Sequence, residues 1–141
     1  MKSIVDTTVW SLLLRRRDDA SLGPEEQLKV KSLRELIVQD RVVVLGPVRQ
    51  EILSGIKHQA QFEKLKRFLR DYRDEQLGTE DYEEAARLHN VCRSRGVGCG
   101  PTDMLICTVA IRRRWEVLSN DKGLERCMEI ARSEQQRTRL R

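Results

Sequence analysis

The chain has 141 residues and a mass of 16.5 kDa, which is one domain long and leaves no room for two independent cores. At 39% hydrophobic it can fill an interior, which argues against a wholly disordered chain. Lys and Arg number 27 against 22 Asp and Glu, giving a net charge of +5; such a surface suits nucleic acid, anionic lipid or another acidic partner without choosing among them. The longest apolar runs, such as residues 42–45, fall far short of the ~20 residues a membrane helix needs. Asp6 interrupts the amino end before a signal-peptide core could form. A soluble, cytoplasmic protein with no membrane contact is expected, in which Cys92, Cys99, Cys107 and Cys127 are reduced thiols, mostly buried as small hydrophobes.

Residues 2–5 form a short β-branched run that stops at Asp6 and reads as a buried strand, with a helix starting at Thr7 and running to Leu14. The basic-acidic run 15–19 closes that helix, and Gly23-Pro24 opens the next. Leu28, Leu33, Leu36 and Ile37 carry that second helix to about Gln39. Residues 41–45 are a Val-rich second strand ended by Gly46-Pro47, and Pro47 suits the first turn of a helix carrying Val48, Ile52 and Ile56. Phe62, Leu65, Leu69 and Tyr72 mark a further amphipathic helix; Tyr82, Ala85, Leu88 and Cys92 mark another. Between them residues 75–77 are a candidate short strand. After the Gly-Pro loop at 96–101 comes an apolar helix over 104–111, then a strand at 115–118, and a last helix from Asp121 to about Ser133. Residues 138–140 are a candidate edge strand. Strands alternating with helices imply an α/β, three-layer domain: a central parallel sheet of four or five strands with helices on both faces, spanning residues 1–141.

In such folds, sites form beyond the carboxyl ends of the strands. Asp6 follows the first strand, Asp103 follows the Gly-Pro loop, Asp121 follows the strand at 115–118, and Glu51 lies a turn into the helix after the second strand. Taken singly, Asp6 and Asp121 are ordinary helix caps, Asp103 favours the positive end of its helix, and Glu51 is a solvated residue beside an apolar stripe. Taken together on one sheet edge they would repel and raise one another's pKa values unless a cation neutralised them. All-oxygen ligands favour a hard ion, Mg²⁺ with Mn²⁺ as a substitute. An ion so held would activate water, orient a phosphate and stabilise the leaving oxygen, while surface Lys and Arg hold a nucleic-acid backbone.

Four blocks carry a resemblance: residues 4–10 (IVDTTVW), 48–55 (VRQEILSG), 101–106 (PTDMLI) and 118–123 (LSNDKG). In this order they resemble the signature blocks of PIN-domain nucleases, most closely the VapC toxins of bacterial toxin–antitoxin pairs. The resemblance implies a Mg²⁺-dependent endoribonuclease that inhibits translation by cutting tRNA or ribosomal RNA. It implies a homodimer silenced by a VapB-type antitoxin whose tail enters the active site. Asp6, Glu51, Asp103 and Asp121 match the family's acidic quartet as catalytic residues and metal ligands. Thr7 matches the hydroxyl residue that orients the first Asp, and Asn120 stands beside the last acid in a supporting position. Many relatives carry a further acid where this chain has Gly123, which favours one tightly held ion over two.

The runs 15–17 and 112–114, each Arg-Arg-Arg, are candidate phosphate contacts, although both close helices, where cations are favoured in any case. His89, Cys92 and Cys99 lack the paired spacing of a zinc site. Cys99, between two glycines, is the thiol expected to be most exposed. Phe62, Phe68 and Tyr72 read more simply as a core or dimer face than as base-stacking platforms. A haloacid-dehalogenase-type phosphatase needs a second acid two residues after the first, where Thr8 stands. The alternative that remains is a catalytically silent PIN-like module that binds RNA or protein.

Overall fold

In the computed structural model, which describes residues 1–14 and 21–139, three parallel strands lie side by side in the order β2-β1-β3. The central strand β1 (Ser3–Val5) pairs with β2 (Val42–Val43) through Ser3↔Val42 and Ile4↔Val43. On its other side it pairs with β3 (Glu116–Leu118) through Ser3↔Glu116, Ile4↔Val117 and Val5↔Leu118. Every residue of β1 is buried, as a central parallel strand covered on both faces requires.

Seven helices connect and cover these strands among the described residues: α1 (Thr7–Leu14), α2 (Pro24–Val38), α3 (Gly46–Leu53), α4 (Gln59–Leu69), α5 (Thr79–Ser94), α6 (Pro101–Arg113) and α7 (Lys122–Arg139). They fall into two packed groups. α1 meets α2 and α3, and α3 meets α4; α5, α6 and α7 pack on one another. α6 also touches β1 and β3, which is why its residues from Ile106 to Ala110 are buried without interruption. Proline supplies the first turn of α2, α3 and α6, where its missing N–H removes nothing from the helix. Trp10 is fully buried and meets Phe68 and Tyr72 edge-on, at centroid distances of 6.4 and 5.6 Å, so these aromatics tie α1 to α4 and to the turn after it. Phe68 and Tyr72 thus serve packing, while Phe62 is half-buried on the same helix.

The sheet is smaller than four or five strands. Residues 75–77 do not form one: Val44 makes a single parallel bridge to Asp74, and the Glu75 N–H donates to the Val44 carbonyl at 2.9 Å. Beyond that point side chains take over from the ladder, because the Arg113 guanidinium donates to the Gln76 carbonyl at 3.0 Å. The edge strand expected at 138–140 is also absent among the described residues. α7 runs on to Arg139, since no Gly or Pro interrupts the chain after Ser133. Leu140 and the basic run 15–17 lie outside the described residues. Among the described residues no helix is long and apolar enough to cross a membrane.

Candidate active site

Parallel pairing carries the exits of β1 and β3 to the same edge of the sheet, where the Asp6 N–H donates to the Leu118 carbonyl at 3.1 Å. Asp6 is 3% exposed and caps α1: its Oδ1 accepts from the Thr8 N–H at 3.1 Å, the Val9 N–H at 3.3 Å and the Thr8 hydroxyl at 2.5 Å. Its Oδ2 accepts from the Ser119 hydroxyl at 2.7 Å. Burial pushes the Asp6 carboxyl above its usual range, and the hydrogen bonds from Thr8, Ser119 and Val9 pull against that rise.

Ser119 and Thr8 join the two strand ends. Ser119 Oγ accepts from the Asp121 N–H at 2.9 Å, and Thr8 Oγ1 accepts from the Asn120 N–H at 2.9 Å. Asp121 opens α7, with its Oδ1 accepting from the Gly123 N–H at 2.8 Å and its carbonyl from the Glu125 N–H at 3.2 Å. A Cβ on residue 123 would stand 3.2 Å from that same Oδ1, so glycine here leaves the carboxylate its place.

Glu51, on α3, reaches the group through Thr7, whose hydroxyl donates to Glu51 Oε2 at 2.7 Å. Asp103 is half-buried in the first turn of α6. Burial raises its carboxyl to about 6, and the negative charges of Asp121, Asp6 and Glu51 add to the rise. Asp103 therefore feels the charge of the other three acids, although the four come from separate stretches of sequence. In their present rotamers no three His, Cys, Asp or Glu side chains among the described residues are gathered tightly enough to enclose an ion. The donor set is still suited to one: oxygens only, mutually repelling, with one carboxyl already driven toward its protonated form.

The hydroxyl implied beside Asp6 is found at another residue. Thr7 holds Glu51, and Asp6 is oriented by Thr8 and Ser119. The pairing with Ser119 crosses 113 positions, so no local spacing signals it, whereas Thr8 reaches Asp6 from two residues away. Asn120 contributes its backbone N–H.

The family model described as PIN domain matches residues 3–129. The chain belongs to the PIN-domain family. A solved structure, FitAcB from Neisseria gonorrhoeae, is similar to this PIN domain with a TM-score of 0.67 at 15% identity, covering 92% of each chain. A comparison with curated protein sequences returns no match.

Two arginines of the 112–114 run, Arg112 and Arg113, have structural work in this PIN domain. Asp81 is 5% exposed and receives Arg112 Nε at 3.0 Å and both terminal nitrogens of Arg113 at 3.0 Å. Arg113 also donates to Glu75 at 3.1 Å. These bonds hold the Asp81 carboxyl at about 2 and clamp the start of α5 to the end of α6. Arg114 adopts the left-handed conformation, with φ 58°, that ends α6. Arg49, unremarked in the sequence, pins the turn after α4 by donating to the Leu69 carbonyl at 2.8 Å, the Tyr72 carbonyl, and Asp74 at 2.7 Å.

The four thiols converge between α5, α6 and α7. Cys92, Cys107 and Cys127 are fully buried and Cys99 is half-buried. Burial and hydrogen bonding to Cys127 push the Cys99 thiol far up, so it is the least buried of the four without being a ready thiolate.

Proposed function

We propose that this PIN domain is a metal-dependent endoribonuclease of the VapC type, the toxin of a toxin–antitoxin pair. The observation that supports this most directly is the Asp103 carboxyl, raised to about 6 by burial and by the charges of Asp121, Asp6 and Glu51. Helix caps have no need to share a field. A cluster of acids whose mutual repulsion is left standing in the protein alone is suited to a divalent cation. Asp6, Asp103 and Asp121 would hold the ion, Mg²⁺ or its substitute Mn²⁺, with Glu51 as a further ligand or as the group that positions water. When bound, the ion supplies Lewis-acid activation of water and neutralises charge on the phosphate.

The chain's own residues do the rest. Ser119 and Thr8 fix the rotamer of Asp6, and Thr7 fixes Glu51, so the edge is preorganised on elements of the sheet and of α3. Water is the nucleophile in this reading, and no side chain forms a covalent intermediate. The substrate is RNA of the tRNA or ribosomal class. The partners are a VapB-type antitoxin that covers the acid edge and a second copy of the chain.

The test is RNA cleavage with Mg²⁺, with EDTA, and with Asp6→Asn or Asp103→Asn. Cleavage confined to the wild-type protein with Mg²⁺ supports the reading, and cleavage undiminished in the variants refutes it. Expression without an antitoxin should arrest growth; harmless accumulation of soluble protein would refute the toxin assignment.

A further inference from the structure

Six guanidinium groups, those of Arg49, Arg87, Arg95, Arg112, Arg113 and Arg137, each meet a carboxylate. Arg114, Arg132 and Arg139 have no such partner among the described residues, and all three line a single cleft of about 520 Å³. The cleft lies between the end of α6 and the second half of α7, over a floor that includes Ile111 and Met128. Gln135 and Gln136 add amide donors to its wall, and Glu116 is its one carboxylate.

Helix dipoles account for part of this. Arg114 ends α6 and Arg139 stands in the last turn of α7, where cations are favoured. They do not account for Arg132, which precedes the end of α7 by about two turns and meets Arg114 across the cleft from a different element. Trp115, on the same wall, has the Lys2 ammonium 5.6 Å and the Arg113 guanidinium 5.8 Å from its ring centroid; Arg113 is met by Asp81 and Glu75, so Lys2 is the cation that adds to the charge of the cleft. The ring is taken up by those cations, which leaves phosphate as the part of a nucleic acid this wall suits. Arginine's planar fork matches phosphate oxygens in pairs, and three of them on two elements can follow successive phosphates where a single anion would need only one.

The location adds a length requirement. Trp115 precedes β3 and Asp121 follows it, so the cleft and the acid edge stand at opposite ends of this three-residue strand, which is about 10 Å long. We propose that this cleft is a second RNA-contact site that holds phosphates remote from the scissile bond, so that the substrate is an RNA long enough to reach both ends of β3. This rests on the nuclease reading above for what is cut, while the cleft's affinity for phosphate can be measured without cleavage.

The experiment measures binding of a tRNA transcript in EDTA over a salt series, with wild type, Arg114→Asn/Arg132→Gln, and Arg73→Gln as an exposed arginine that does not line the cleft. Asn tolerates the left-handed backbone at position 114, and melting curves check that the double variant folds. Affinity for the transcript should fall about tenfold in the double variant alone, and the slope of log affinity against log salt should flatten by about 0.7–0.9 for each arginine removed. With Mg²⁺, KM for the transcript should rise in the double variant while turnover of a short oligonucleotide is unchanged. Unaltered affinity and slope in the double variant overturn the proposal. So does loss of binding to a poly-glutamate peptide with RNA binding intact, which would make the cleft a seat for an acidic protein segment. Cleft-dependent binding without cleavage would leave the proposal standing and sink the nuclease reading. Cleavage that ignores the cleft would do the reverse.

Discussion

Ser119 Oγ donates to Asp6 Oδ2 at 2.7 Å and accepts the Asp121 N–H at 2.9 Å, so one buried hydroxyl sets two acids of the candidate site at once. Ser119→Ala leaves the buried Asp6 carboxylate short of a donor, and the expected loss of stability is about 1–3 kcal/mol. The Asp6 carboxyl should rise further, because the bond it loses is one that lowers its pKa. Thermal melting measures the first effect. A pH–rate profile whose acid limb moves to higher pH measures the second.

Asp103→Asn removes the carboxyl that the other three acids oppose. A carboxyl whose folded pKa is about 6 against an ordinary 3.8 binds protons more readily folded than unfolded. It therefore weakens the fold as pH rises from about 4 to 6, with the full penalty above that. In EDTA at pH 7.5 the variant should melt at or above the wild type, with the difference gone near pH 4. Mg²⁺ should raise the wild-type melting temperature more than the variant's. A variant that melts well below wild type at pH 7.5 would make Asp103 a structural cap.

Asp81 behaves in the opposite sense. Its carboxyl is held at about 2 by Arg113, the Gly78 N–H and Arg112, so its contribution is complete above pH 4 and disappears as pH falls from about 4 to 2. Asp81→Asn should cost about 2 kcal/mol at pH 7, less than a fully buried pair because both arginines keep access to water. Urea titration at pH 7 and near pH 2 checks it: the two proteins should differ at the first and converge at the second.

Gly123→Ala separates folding from activity. Alanine improves the helix propensity of the first turn of α7, yet its Cβ would press on Asp121 Oδ1 from 3.2 Å. The melting temperature should hold or rise slightly while cleavage declines. Unchanged cleavage would show that Asp121 tolerates displacement.

Much of this was legible along the chain, for reasons that differ by element. α1 and α3 are announced by sharp local signals, a run that stops at Asp6 and a Gly46-Pro47 pair, and both acids near them follow from chain order. β2 shrinks to two residues because Val44 has only an isolated partner and Leu45 turns into the cap of α3; hydropathy cannot distinguish a buried valine in a ladder from one beside it. The role of the 112–114 run was not legible, since Asp81, which claims two of those arginines, lies 31 and 32 positions back. The same holds for Ser119, 113 positions from Asp6. Hydroxyls are common and unremarkable until the fold brings them to a buried carboxylate.

The stitching of β1 to β3 has a consequence for synthesis. Asp6 emerges from the ribosome early, but Ser119, Asn120 and Asp121, which give it partners and a neighbouring charge, follow more than a hundred residues later. Contacts of such sequence separation form late in folding. A nascent chain therefore carries its first acid without the hydroxyl and the neighbouring acid that complete the edge until residues 119–121 have joined it.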